Sequence, residues 1–291
     1  MKKDISFYHC EELDAALKLL AEDNNLKPIA GGTDLMVEMR NDENFQENIS
    51  GLLDITALEE LQGITVKENH INIGALVTHQ EIVNSEVLQE KYSALVAAAA
   101  AIGSTQIRNR GTIGGNVCNA AACADTLGPL IAFEADALLE SYAGERVVPA
   151  ADLVTRPYQT VIRDDELLKC FRLPLPAADT FSNFQKIGRR QALAITRISL
   201  ALVAQIADGM VKQVKVVPGS TTPVPEPFAG VEARIRDRKI ADLKPAEIAA
   251  AASEEMVSIT GERWSTPYKK PALETLVTRA LVQLKEVADN E

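Results

Sequence analysis

The chain has 291 residues, of which 46% are hydrophobic and 4% aromatic, and a net charge of −11. That apolar share supports a packed interior and excludes a disordered chain, and the length suggests two domains. The negative charge argues against nucleic acid and anionic lipid as partners, so a bound phosphate would need donors aimed at it locally.

No apolar run reaches the roughly 18 residues that span a bilayer. The start, Met1-Lys2-Lys3-Asp4-Ile5, has charge but no apolar stretch after it. The expectation is a cytoplasmic protein without membrane contact. Cys10, Cys118, Cys123 and Cys170 contain no C-x-x-C pair, which fits reduced, buried thiols in such a compartment.

In chain order, residues 5–10 read as a short strand. Residues 11–23 read as a helix with Leu13, Ala16, Leu17 and Leu20 on one face. "LKPIAGG" reads as a strand entering a glycine turn, and 33–40 as a helix capped by Thr33 or Asp34. Residues 51–56 and 64–77 add strands, the latter a hairpin turning near Glu68-Asn69. Residues 78–103 read as two helices, the first opened by a Thr78/Glu81 capping box and the second, alanine-rich, packed on both sides. "STQIRNRGTIGGNVCNAAACADT" reads as irregular. A helix, then strands, follow to 166–176, where Pro174 and Pro176 mark a boundary. Beyond it come three strands with Asp208-Gly209 as a hairpin turn. Helices are expected over 244–257, with Pro245 in its first turn, and over 271–289, with Leu273, Leu276, Val277, Ala280, Leu281 and Leu284 on one face. The fold class is α+β, with one domain over 1–176 and a second over 177–291.

Two glycine-rich stretches carry the functional signal. "AGGTDL" (30–35) lies where a strand meets a helix. Side-chain-free backbone there can approach a phosphate and offer it amides. An ordinary strand-to-helix turn stays open as the alternative. "RNRGTIGGN" (108–116) has the same composition. Gly114-Gly115 would let the chain pass against a flat or charged ligand, so Gly114→Val should abolish cofactor binding and leave the fold intact. Thr112 and Asn116 offer side-chain hydrogen bonds. Asp125 either accepts from a ribose hydroxyl or caps the helix that follows. Neither stretch is a Walker A or a G-x-G-x-x-G motif, so a dinucleotide would require another fold.

"PIAGGTDLM" (28–36), "IGSTQIRNRGTIGGNVCNAAACAD" (102–125), "ELLKCFRLPLP" (166–176), "FQKIGRRQALAIT" (184–196) and "YKKPALETLVTRAL" (268–281) together resemble the FAD-binding medium subunit of the molybdenum hydroxylases, the family of xanthine dehydrogenase and carbon monoxide dehydrogenase. The resemblance covers most of the chain. It implies a PCMH-type FAD-binding domain of two α+β subdomains and a C-terminal α+β domain with a three-stranded sheet and helices. By position it implies that Ile29, Ala30, Gly31, Gly32, Thr33, Asp34 and Leu35, with Thr112, Ile113, Gly114, Gly115 and Asn116, surround the pyrophosphate and flavin edge. Ile102 would pack on the cofactor, Asp125 would bind ribose, and Lys186 would lie near the isoalloxazine with Leu168 or Lys169 lining it. The chain departs from the family pattern at Ala121-Ala122, where Ser-Pro is common, and at Pro218-Gly219-Ser220, where Gly-Gly is usual. The cysteine insertion that holds a [4Fe–4S] cluster in some relatives is absent.

The implied function is electron transfer. A molybdenum-cofactor large subunit hydroxylates the substrate, a [2Fe–2S] small subunit passes electrons to this FAD, and the flavin hands them to NAD or another acceptor. No acid–base pair is needed in this chain, and no metal site is expected. A stand-alone flavin-dependent reductase or oxidase and a non-catalytic assembly subunit are the other readings. His9, His70 and His79 are expected at the surface or at caps. Arg108 and Arg110 pair either with phosphate or with acidic residues or a partner subunit. The alternative for Lys186 is an exposed lysine on a strand.

Overall fold

The computed structural model describes residues 5–42, 45–190 and 193–289. The reading of Met1–Asp4 as a charged start, and Gln191 and Ala192 of the 184–196 motif, lie outside the described residues. Two compact units form. The first takes residues up to Glu81, Ser104–Ala120 and Ala135–Pro174; the second takes Ile82–Gly103, Ala121–Glu134 and the chain from Leu175 on.

In the first unit, Leu13, Ala16, Leu17 and Leu20 repeat at helical spacing, and the helix Leu13–Glu22 buries all four. It connects Ser6–His9 to Leu26–Ile29, which flank Gly51–Asp54 in a parallel three-stranded sheet. Parallel neighbours need such a crossover. A second, antiparallel sheet has the order Ile64–Val66, His70–Gly74, Glu166–Pro174, Asp136–Ser141, Gly144–Pro149. The expected hairpin turn closes with the Lys67 amide on the His70 carbonyl at 2.8 Å. At the start of Glu166–Pro174 the buried Glu166 carboxylate takes both Arg146 Nε (2.6 Å) and Nη2 (2.8 Å) and the Arg163 amide (2.8 Å). A buried carboxylate held by so many donors is expensive to disturb.

In the second unit, Thr180–Gly188, Thr196–Ala207 and Met210–Gly219 form an antiparallel meander. Asp208 (φ 53°) and Gly209 (φ 67°) make the left-handed two-residue turn read from the sequence. Every second residue of the middle strand, Ile198, Leu200, Leu202 and Ala204, enters a core with Phe228 and with Leu273, Leu276, Val277, Ala280, Leu281 and Leu284 of the last helix. Each of the Ile, Leu, Val and Phe side chains among them, fully buried, contributes about 1.5–3 kcal/mol. The alternate residues face the other way, where Ala201 meets Gly128 of the helix Leu127–Ala132, and Ser93 of the helix Ser93–Ala100 bonds the Ser182 carbonyl at 3.1 Å. A sheet apolar on both faces needs two covers. That need draws Ile82–Gly103 and Ala121–Glu134 into the second unit.

Other differences are local. The segment read as irregular holds two short helices, Thr105–Arg108 and Ile113–Cys118. Residues 78–103 hold three helices rather than two: His79–Asn84, Glu86–Lys91 and Ser93–Ala100. The last helix, Thr266–Asp289, begins before Pro271 and carries that proline inside it. Cys10 and Cys170 are buried but Cys118 is exposed, and none of the four cysteines forms a disulfide among the described residues.

Candidate functional site

The strand Leu26–Ile29 runs into Ala30-Gly31-Gly32, and Gly32 (φ 70°) turns the chain into the helix Leu35–Asn41. The Gly32 carbonyl already accepts the Met36 amide at 3.2 Å. The amides of Ala30 to Leu35 donate to no group among the described residues. Asp34 occupies the N-cap position without a capping bond. Its φ of −99° and ψ of −47° are already helical, whereas a capping residue is extended. Thr33 makes no such bond either. The stretch therefore presents consecutive backbone donors, turned by Gly32 in the left-handed region.

The second stretch is built differently. Thr112 Oγ1 caps the helix Ile113–Cys118 by accepting the Gly115 amide at 3.0 Å. The amides of Ile113, Gly114 and Asn116 go to Val77, Ala75 and Thr112 carbonyls, each at 2.9 Å. A Cβ on Gly114 would lie 2.7 Å from both Cβ and O of Ala75. This glycine is thus taken up by packing against the protein itself, not left open. Gly114→Val would disturb the fold, contrary to the expectation that it would spare it. Gly115 is exposed.

The two stretches meet at Gly31, where a Cβ would sit 1.9 Å from the Arg110 carbonyl oxygen. Only glycine permits that approach. Beside the meeting point lies a cleft of about 600 Å³ lined by Gly31, Thr56, Thr78, Asn109, Arg110 and Thr112 among others. The Thr78/Glu81 capping box forms as read, with the Thr78 amide on Glu81 Oε2 at 2.7 Å and the Glu81 amide on Thr78 Oγ1 at 3.2 Å.

Between these two capping residues His79 is 2% exposed, not at the surface. Its amide donates to the Gly111 carbonyl at 3.0 Å, and its ring lies where a Gly111 Cβ would touch it. Nδ1 is buried without a hydrogen-bond partner. Burial, and then the nearby Arg108 charge, push the imidazole down to about 4. Leu168 is buried on the strand Glu166–Pro174. The next residue, Lys169, sits at a break in register, and its ammonium is held by Glu140 (2.7 Å) and Glu145 (2.9 Å).

The second unit contains the other three residues. Ile102 is half-buried just after the helix Ser93–Ala100. Asp125 and Lys186 come together as an ion pair at 2.6 Å, with the side chains 5% and 13% exposed. Lys186 Nζ also donates to the Ala101 carbonyl at 3.0 Å. Thr196 Oγ1 donates to the second Asp125 oxygen at 2.6 Å. Burial pushes the Asp125 carboxyl above its usual range, and Lys186 and Thr196 pull against that. So Lys186 is not an exposed strand lysine, and Asp125 does not cap the following helix, whose N-cap is Thr126. Among the described residues no cluster of metal-ligating side chains occurs.

Sequence reasoning missed Thr196 and misplaced His79. For His79 a signal existed: Ile82, three residues on, is fully buried, which puts both on one helical face. For Thr196 there was none, since its partner lies 71 residues away. The two departures from the family pattern meet in space. Ser220 Oγ donates to the Ala122 carbonyl at 3.0 Å.

Residues 3–176 match the family model of the FAD binding domain in molybdopterin dehydrogenase, and residues 183–284 that of the CO dehydrogenase flavoprotein C-terminal domain. Over 222 residues the chain is 32% identical to the xanthine dehydrogenase FAD-binding subunit of Escherichia coli O157:H7, covering 76% of this chain and 75% of that one. It is 29% identical to the glyceraldehyde dehydrogenase medium chain of Sulfolobus acidocaldarius over 98% of this chain and 99% of that one. In the solved carbon monoxide dehydrogenase from Hydrogenophaga pseudoflava, which lacks the Mo-pyranopterin moiety of its cofactor, one chain superposes with a TM-score of 0.86 at 26% identity, covering 97% of both.

Proposed function

From the premise that the chain belongs to the FAD-binding family of the molybdopterin dehydrogenases, we propose that it carries electrons between [2Fe–2S] clusters of a small partner subunit and NAD or another acceptor. It is an FAD-binding medium subunit of a molybdenum hydroxylase-type dehydrogenase, an oxidoreductase subunit with a PCMH-type FAD domain and a CO dehydrogenase-type C-terminal domain. The substrate is oxidised on a molybdenum-cofactor large subunit, and the assembly works in the cytoplasm, where cysteines outside any disulfide stay reduced.

The observation that carries this reading is the run of unpartnered amides from Ala30 to Leu35. These donors fit a diphosphate: they are consecutive, and Gly31 among them lines the cleft that Asn109, Arg110 and Thr112 line together with Glu59 and Glu81. Their alignment supplies attraction that a chain of net charge −11 lacks in general. Thr112 and Gly114 then serve by stiffening the neighbouring stretch. Asp125 and Lys186 place a buried cation for the flavin, with Ile102 as apolar packing. When bound, FAD supplies the two-electron chemistry; the protein orients it and sets its electrostatic surroundings.

The test is the absorbance of the purified chain with and without added FAD, followed by identification of co-purifying subunits. Stoichiometric flavin together with iron–sulfur and molybdenum-containing partners is the expected result. A colourless chain that cannot be reconstituted would instead support an assembly role, and substrate oxidation by the isolated chain would support a stand-alone enzyme.

A further inference from the structure

We propose that Thr196 is a positioning residue: its hydroxyl fixes the Asp125 carboxylate in its charged form and so aims the Lys186 ammonium at the flavin. The last clause rests on the function proposed above; the first does not. Asp125 is 5% exposed, so each carboxylate oxygen needs a donor from the protein. Lys186 supplies one at 2.6 Å and Thr196 the other at 2.6 Å. With Thr196 on Oδ1, only Oδ2 is left to face the ammonium, which fixes the rotation of the carboxylate. The ammonium has three donors. Asp125 takes one and the Ala101 carbonyl takes a second at 3.0 Å. The third direction is therefore set by the other two.

The backbone reinforces this arrangement. Thr196 opens the middle strand opposite Gly188, at a break in register just beyond the Lys186–Ser199 pair. The strand therefore delivers Thr196 to the same end of the sheet as Lys186. The buried Thr196 side chain makes no other hydrogen bond among the described residues. Among the described residues Lys186 is the one charged group acting on Asp125, so a change at Thr196 is transmitted through a single pair.

The experiment compares wild type, T196V, T196S and D125N by two readouts. In the apoprotein, carbon-13 NMR follows the Asp125 carboxyl through a pH titration. T196V, which keeps shape and removes the donor, should raise its midpoint by about one unit, and T196S should restore it. In the flavin-loaded protein, T196V should shift the flavin midpoint potential in the same direction as D125N and by less, while T196S stays at the wild-type value. An unchanged Asp125 midpoint in T196V, or a T196S protein that behaves as T196V does, overturns the proposal. If the wild-type chain takes up no FAD, the proposed function fails, and the titration still decides the role of Thr196. If flavin binds and the potentials of D125N and T196V move in opposite directions, Thr196 does not act through Asp125.

Discussion

The two glycine-rich stretches of the first unit share a composition and do opposite things with it. From Ala30 to Leu35 the backbone amides donate to no group among the described residues. From Ile113 to Asn116 every amide is taken by a carbonyl or by Thr112. In the first stretch Gly32 supplies the left-handed turn (φ 70°) that leaves the amides unengaged. In the second, Gly114 lets a short helix sit directly on Ala75. Glycine count alone therefore does not identify an anion cradle; the fate of the amides does. Gly31, pressed on the Arg110 carbonyl, joins the two kinds of use in one residue.

Acid should attack the second stretch first. His79 underlies Gly111 and is held at about 4 against an ordinary 6.5. Its folded-state value is depressed, so the neutral form favours the fold and the charged form favours unfolding. Stability is full above 6.5 and falls as pH drops from there to about 4, by about 3 kcal/mol in all. Urea unfolding from pH 7 to 4 should show that slope in wild type and lose it in H79Q; equal slopes would remove His79 from the account. Next in size, G114A places a methyl against Ala75 and should cost about 1–3 kcal/mol, with flavin affinity falling only as far as folding does. T112V deletes the cap on Gly115 and should cost about 1 kcal/mol, recovered in T112S. Finally, G32A has room for its Cβ, 3.4 Å from Ile29 and Met36, and meets only the left-handed backbone penalty of about 1–2 kcal/mol. It should nonetheless weaken FAD by more than about tenfold, because it re-aims the free amides. If G32A and G114A lose flavin and stability in the same ratio, the contrast between the stretches is wrong.

What the sequence made legible was local. Asp208-Gly209, the Thr78/Glu81 box and the buried face of the last helix each depend on neighbours within a few positions, and each formed as read. What it hid was distant. Asp125 offered a ribose acceptor or a cap when viewed alone; its partners arrive from 61 and 71 residues away. The alanine-rich run within 78–103 told that a helix is packed closely, but not that the sheet it covers begins beyond residue 175. The family resemblance named FAD and the correct group of proteins, and the glycine-rich composition pointed to an anion, but neither distinguished free amides from engaged ones.

The interleaving of the two units sets an order of assembly during synthesis. The first unit lacks its central antiparallel strand until residue 174 has left the ribosome. The helices Ser93–Ala100 and Leu127–Ala132 emerge early and wait with apolar surface uncovered until the meander ending at Gly219 follows them. A nascent chain of this kind spends much of its translation exposed to aggregation, so chaperone dependence, and failure of either half when expressed alone, follow from the threading itself.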